Sequence, residues 1–200
     1  NPDNPMGSWH TADTVQGLID KLPGSCLLVL DEAYIDLAPS GTAPALLPET
    51  DNVIRLRTFS KAYGMAGARV GYAIGPKSLM TAFEKMRNHF GLSRISQAGA
   101  LAALKDQAYV AEIKQKVAKS RETLEQIAQD NGLTPLPSAT NFVTIDCGGD
   151  GGFASKVLEQ MIARAVFIRM PAVAPINRCI RISCGDAEAM ALVAKTLPEA

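Results

Sequence analysis

Thr58-Phe59-Ser60-Lys61-Ala62-Tyr63-Gly64-Met65-Ala66-Gly67-Ala68-Arg69-Val70-Gly71-Tyr72 sets one lysine beside small hydroxyl side chains and one arginine further on, in a run studded with glycine. Val53-Ile54-Arg55-Leu56-Arg57 before it and Val70-Gly71-Tyr72-Ala73-Ile74 after it read as strands. A lysine at the mouth of a strand, next to Thr58 and Ser60, can be held close to a bound anion, and its amine can form an imine with a carbonyl compound. Arg69 supplies a planar, permanently charged fork suited to phosphate. Taken by themselves, Lys61 and Arg69 read far more readily as two solvated charges, so their meaning depends on what surrounds them.

Upstream, Cys26-Leu27-Leu28-Val29-Leu30 is continuously apolar and bounded by turn residues, the pattern of a strand buried on both faces of a parallel sheet. It ends in Asp31-Glu32-Ala33-Tyr34, which puts acidic and phenolic groups at the strand's carboxyl end. Before that strand, prolines and Gly7 make residues 1–9 a loop, and Thr11 is placed to cap a helix running to about Lys21. Residues 38–50 read as loop. Apolar spacing predicts helices over 77–87, 94–105 and about 108–130, the last stopped by Asn131-Gly132. Phe142-Val143-Thr144-Ile145 alternates like a half-buried strand. Residues 148–152 read as a glycine-rich turn, 153–163 as a helix, the stretches near 165–169 and 179–183 as strands, and 186–196 as a last helix.

Strands alternating with helices give an α/β fold with a mostly parallel sheet and flanking helices, followed by a small α+β C-terminal domain. The expected division is 1–107, a long connecting helix at 108–131, and 132–200. In such sheets ligands gather at the carboxyl ends of strands, where Asp31, Tyr34 and Lys61 lie.

Lysine plus arginine equals aspartate plus glutamate at 20 each, so net charge gives no argument for nucleic acid or an anionic membrane as partner. No apolar run reaches the length of a membrane span. Cys26, Cys147, Cys179 and Cys184 lack zinc-ligand spacing, and three lie in or beside apolar segments; they read as buried free thiols in a reducing compartment, the cytoplasm. His10 and His89 are too isolated for a metal site, and none is expected. There is neither a G-x-G-x-x-G turn nor a P-loop, which argues against a nucleotide-binding domain. The opening Asn1-Pro2-Asp3-Asn4-Pro5-Met6-Gly7, without an initiator methionine, predicts that the chain is a piece of a longer protein.

Asn1-Pro2-Asp3-Asn4-Pro5-Met6-Gly7, Asp31-Glu32-Ala33-Tyr34, the Ser60-to-Tyr72 segment and Arg181-Ile182-Ser183-Cys184-Gly185 occur in the order and form found in fold type I pyridoxal-phosphate aminotransferases. The chain resembles that family, and especially its histidinol-phosphate aminotransferase branch, over essentially its whole length. The resemblance implies the C-terminal part of the cofactor-binding large domain plus the small domain, with pyridoxal 5'-phosphate as cofactor. Lys61 would then form the imine and shuttle a proton, Asp31 would pair with the pyridinium nitrogen, and Tyr34 and Asn4 would bond the phenolic oxygen. Thr58, Ser60 and Arg69 would hold the phosphate, while Arg181, with Arg169 at the far end, would bind substrate. Arg94 is a candidate specificity residue and Asn141 a mainly structural one. Implied too are a small amino donor such as histidinol phosphate, a 2-oxo acid acceptor such as 2-oxoglutarate, a homodimer, and no activity in this 200-residue piece alone. Two alternatives stay open: a decarboxylase of a phosphorylated amino acid on the same scaffold, and a non-catalytic module retaining the fold. Met6, where the family carries threonine, is a departure that supports a turn rather than touching cofactor.

Overall fold

Thr11 accepts a hydrogen bond from the Thr14 backbone, so the first helix, α1 (Ala12–Asp20), begins where its cap predicts. The computed structural model describes residues 1–47, 50 and 52–200 of the chain. Of the predicted 38–50 loop, residues 48 and 49 lie outside the described residues, and the described part carries no helix or strand from Ala38 on. Two compact units are formed, one from residues 1–2 and 9–113, the other from 3–8 and 114–200.

The first unit holds a three-stranded sheet ordered β1 (Leu28–Asp31), β2 (Val53–Thr58), β3 (Gly71–Ile74). β1 runs parallel to β2, Asp31 opposite Leu56, and β3 runs antiparallel, Gly71 opposite Thr58. β2 is central, and Val53 and Ile54 are buried. The expectation that 26–30 is buried on both faces fails. The strand starts at Leu28, Cys26 is exposed, and burial alternates, with Val29 51% exposed, because among the described residues one face of β1 is covered and the other is open. Helices α2 (Lys77–Met86) and α3 (Arg94–Lys105) follow, α3 capped by Ser93. No residue of α2 is buried, and Met86, Phe90 and Ile95 stand almost fully exposed.

Helix α4 (Gln107–Asp130) ends where Asn131-Gly132 predicts: Gly132 takes φ +72, with its N–H on the Gln129 carbonyl and that of Leu133 on Ala128. The second unit's sheet is antiparallel throughout, β4 (Thr134–Pro135), β5 (Phe142–Asp146), β6 (Cys179–Ser183). β5 is buried from Phe142 to Ile145 rather than half-buried, since it is the central strand and packs on both faces. Helices α5 (Gly151–Ala163) and α6 (Ala187–Thr196) complete the unit, capped by Asp150 and Asp186. α5 starts at Gly151, not 153. Asp150 accepts from Phe153 N, and a Cβ at residue 151 would lie 2.5 Å from the Asn177 side chain, so glycine here opens a helix rather than forming a turn.

The expected strand at 165–169 is also absent. Ala165 is left-handed (φ 63) and only Arg169 pairs, by a single bridge to Arg181. Leu124, Val143, Ile145, Met161 and Ile180 form the fully enclosed centre of this unit's core; burying each aliphatic side chain stabilises by about 2 kcal/mol. No helix among the described residues is long and apolar enough to cross a membrane.

Candidate functional site

In the first unit, the ends of β1 and β2 carry most of the residues singled out in the sequence. Side chains alternate across a sheet, so the register puts Asp31, Leu56 and Thr58 on one face and Leu30, Arg55, Arg57 and Tyr72 on the other. Asp31 is exposed, and its Oδ1 accepts from Ala33 N at 2.9 Å, which shapes the turn into Tyr34. Tyr34 is buried, and Lys61 Nζ lies 5.0 Å from the centroid of its ring. A cation at that distance over an aromatic face is attracted by the ring's quadrupole.

Thr58 Oγ1 donates to Ser60 Oγ at 2.9 Å and accepts from Ser60 N at 3.0 Å, so both hydroxyls sit together just before the lysine. Arg69 is left-handed (φ 55, ψ 47), exposed, and donates from Nη1 to the Ala66 carbonyl at 2.7 Å. A non-glycine residue in this region costs about 1–3 kcal/mol and persists only where its surroundings impose it. Here Ser96 Oγ, from α3, holds the neighbouring Ala68 carbonyl at 2.8 Å. Arg94 is exposed at the first position of α3.

The second unit brings together Asn4, Arg169 and Arg181. Residues 3–8 are seated by Thr144 Oγ1 on the Pro5 carbonyl (2.5 Å) and by Ala139 N on the Gly7 carbonyl (2.9 Å). Gly7 has φ +81, and a Cβ there would lie 2.5 Å from Ser138 Oγ, so this turn accepts no side chain. Asn4 is thereby presented to Arg181, whose Nη1 donates to Asn4 Oδ1. The Arg181 guanidinium also lies 4.8 Å from the centroid of the Phe142 ring. Arg169 and Arg181 exchange backbone hydrogen bonds, and the Arg169 side chain is exposed. The Asn141 backbone carbonyl accepts from Cys184 N at 2.9 Å.

The sequence reading missed one group. Glu32 is 1% exposed, and its carboxylate takes Arg55 Nη2 at 2.5 Å, Arg55 Nε at 3.0 Å and Arg57 Nε at 2.8 Å. Arg55 also donates to the Pro44 and Ala45 carbonyls. Burial pulls the Arg57 guanidinium down, yet its bond to Glu32 and that charge prevail and hold it raised. The available signal was two arginines at alternate positions in an apolar strand, which calls for a buried acid as partner.

Three thiols behave as buried groups. Burial pushes Cys147 and Cys184 up to about 11 and also raises Cys179. Among the described residues no group of three or more His, Cys, Asp or Glu could hold a metal ion.

The sequence model of aminotransferase class I and II matches residues 1–197. The chain belongs to this aminotransferase family. Curated relatives named histidinol-phosphate aminotransferase include that of Bacillus pumilus, 38% identical over 202 residues (100% of this chain, 54% of the relative). That of a Geobacillus species is 36% identical over 191 residues (94% and 52%). Among solved structures, histidinol-phosphate aminotransferase from Sinorhizobium meliloti, in complex with pyridoxal-5'-phosphate, is 53% identical. It superposes with a TM-score of 0.97 over 100% of this chain and 55% of that one. The chain therefore spans about half the length of the aminotransferases it matches, and the fold is that of the fold type I transferases.

Proposed function

We propose that the full-length protein is a pyridoxal-phosphate-dependent transaminase of the cytoplasm. It would work as a homodimer that moves an amino group from histidinol phosphate, or a related amino acid, to a 2-oxo acid such as 2-oxoglutarate. The observation that carries this reading is Lys61 Nζ held 5.0 Å over the Tyr34 ring, directly after the paired hydroxyls of Thr58 and Ser60. An amine, a phenol, a carboxylate and a hydroxyl-plus-guanidinium anion cradle are the donor set this cofactor requires, and the residues of the first unit fit it.

When bound, the cofactor supplies an electron sink that lets a C–H bond at the substrate's α-carbon ionise. The chain's residues do the rest. The Asp31 carboxylate would hold the ring nitrogen, and the Tyr34 hydroxyl and the Asn4 amide would hold the phenolic oxygen. Thr58, Ser60 and Arg69 orient the phosphate through charge-assisted hydrogen bonds. Lys61 Nζ would hold the cofactor and move the proton that leaves the substrate's α-carbon. Arg181 receives the substrate's carboxylate or phosphate as a planar fork, with Arg169 toward its far end. The 53% identity to a histidinol-phosphate aminotransferase solved with the cofactor supports both substrate and cofactor.

The test is an absorption spectrum of the full-length protein purified with pyridoxal phosphate, beside Lys61→Ala. A visible-edge band removed by borohydride in the wild type and missing in the variant is the expected result. A wild-type protein that takes up no chromophore would turn the reading toward a non-catalytic module.

A further inference from the structure

We propose that Glu32, gripped by Arg55 and Arg57, is a positioning residue that fixes Asp31 relative to Thr58 and Lys61. The inference rests on the functional reading above and concerns the same site. Glu32 follows Asp31 directly, and Arg57 precedes Thr58 directly. Side-chain alternation therefore places the clamp on the opposite face of the sheet from the two groups it would align. Its bonds cross from the carboxyl end of β1 to that of β2, where the Glu32 N–H also donates to the Leu56 carbonyl at 2.8 Å. Parallel pairing sets strand register but is slightly less stable per residue than antiparallel pairing. Three charge-assisted bonds at 2.5 to 3.0 Å, on the buried Glu32 carboxylate, fix the two strand ends against each other.

The clamp also reaches the surrounding elements. Arg55 ties in the 44–45 backbone, and Arg57 lies opposite Tyr72 of β3, whose ring packs at a tilt against Phe59 (centroids 5.7 Å apart), between Thr58 and Ser60. One carboxylate thus sets the position of the acid and of the hydroxyl–lysine segment together, without touching any ligand of either.

Glu32→Gln is nearly isosteric but turns a donor toward Arg55 or Arg57. The double variant Glu32→Gln/Arg57→Met restores the clamp's original charge balance, so it remains interpretable if the single variant fails to fold. In full-length protein stripped of cofactor, each is titrated with pyridoxal phosphate. The pH midpoint of the bound chromophore's absorbance change is then measured alongside the melting temperature. The expected result is binding at least about tenfold weaker, equivalent to 1.4 kcal/mol. The midpoint shifts from the wild-type value, because a displaced Asp31 no longer holds the ring proton as it does in the wild type.

Variants that melt lower but bind with unchanged affinity and an unchanged midpoint would reduce the clamp to a fold-stabilising ion pair and overturn the inference. The wild-type control separates this from failure of the functional reading. If the wild type binds no cofactor, both fall together.

Discussion

Replacing Arg69 by glycine and, separately, by alanine divides the backbone's contribution from that of the guanidinium. Both variants lose the Nη1 bond to Ala66 at 2.7 Å, an exposed contact expected to contribute about 0.5–1 kcal/mol. Only glycine relieves the left-handed backbone at φ 55, ψ 47. That conformation costs an L-residue roughly 1–2 kcal/mol, and glycine gives back about 0.5–1 kcal/mol through its freer unfolded chain. Arg69→Gly should therefore be more stable than Arg69→Ala by about 0.5–1 kcal/mol, and close to wild type. Affinity for pyridoxal phosphate should fall in both alike. Losing a charge-assisted bond of about 1.5–3 kcal/mol corresponds to about ten- to more than a hundredfold in Kd. Melting curves of the cofactor-free full-length protein and a spectroscopic titration read the two effects separately. Equal melting of the two variants would refute the strain argument. A glycine variant that keeps wild-type affinity would refute the assignment of Arg69 to the phosphate.

The end of α5 repeats the backbone geometry of the end of α4, with the Val166 N–H on Met161 and that of Ala165 on Ile162, but with alanine where α4 has Gly132. Ala165→Gly should stabilise by about 0.5–1 kcal/mol and Gly132→Ala should destabilise by a similar amount, as read by chemical denaturation. At Asp146, burial works to raise the carboxyl, but the Gly148 N–H at 2.8 Å and Arg178 outweigh it and hold it below its usual value. A depressed carboxyl stabilises fully above its unfolded value of about 3.9 and loses that contribution as pH falls through the folded value. Asp146→Asn should therefore cost stability at pH 7 and almost none near pH 2, measured by denaturation at both. Under native conditions a thiol reagent at pH 8 should modify exposed Cys26 first. Cys147 and Cys184, pushed up to about 11, should react only on unfolding, which mass spectrometry resolves.

Local chemistry was legible in the sequence. Thr11, Gly132 and the apolar spacing of α2, α3 and α4 act within a few residues of themselves, and the structure has those helices within a residue or two of where they were read. Most of the candidate site was legible for the same reason: Asp31-Glu32-Ala33-Tyr34 and Ser60-Lys61 are contiguous and lie at strand ends. What escaped depends on distant partners. Glu32 acquires meaning only through the register that sets β1 beside β2. Central β5 is buried on both faces because β4 and β6 flank it, which alternation in Phe142-Val143-Thr144-Ile145 could not reveal. The stretch at 165–169 has a strand's composition, but the left-handed turn at Ala165 and a single bridge at Arg169 leave it irregular. Gly151 and Gly152 read as a turn because glycine usually breaks helices, whereas here the Asp150 cap and the closeness of Asn177 decide the matter.

Gly7 and Thr144 carry no reactive group, yet they hold the loop that presents Asn4 to Arg181. In a genetic selection on this gene, alleles at those two codons should score as nulls beside those at Arg181. The map of intolerant positions would then be wider than the map of chemistry, because a single methyl group at residue 7 has nowhere to go.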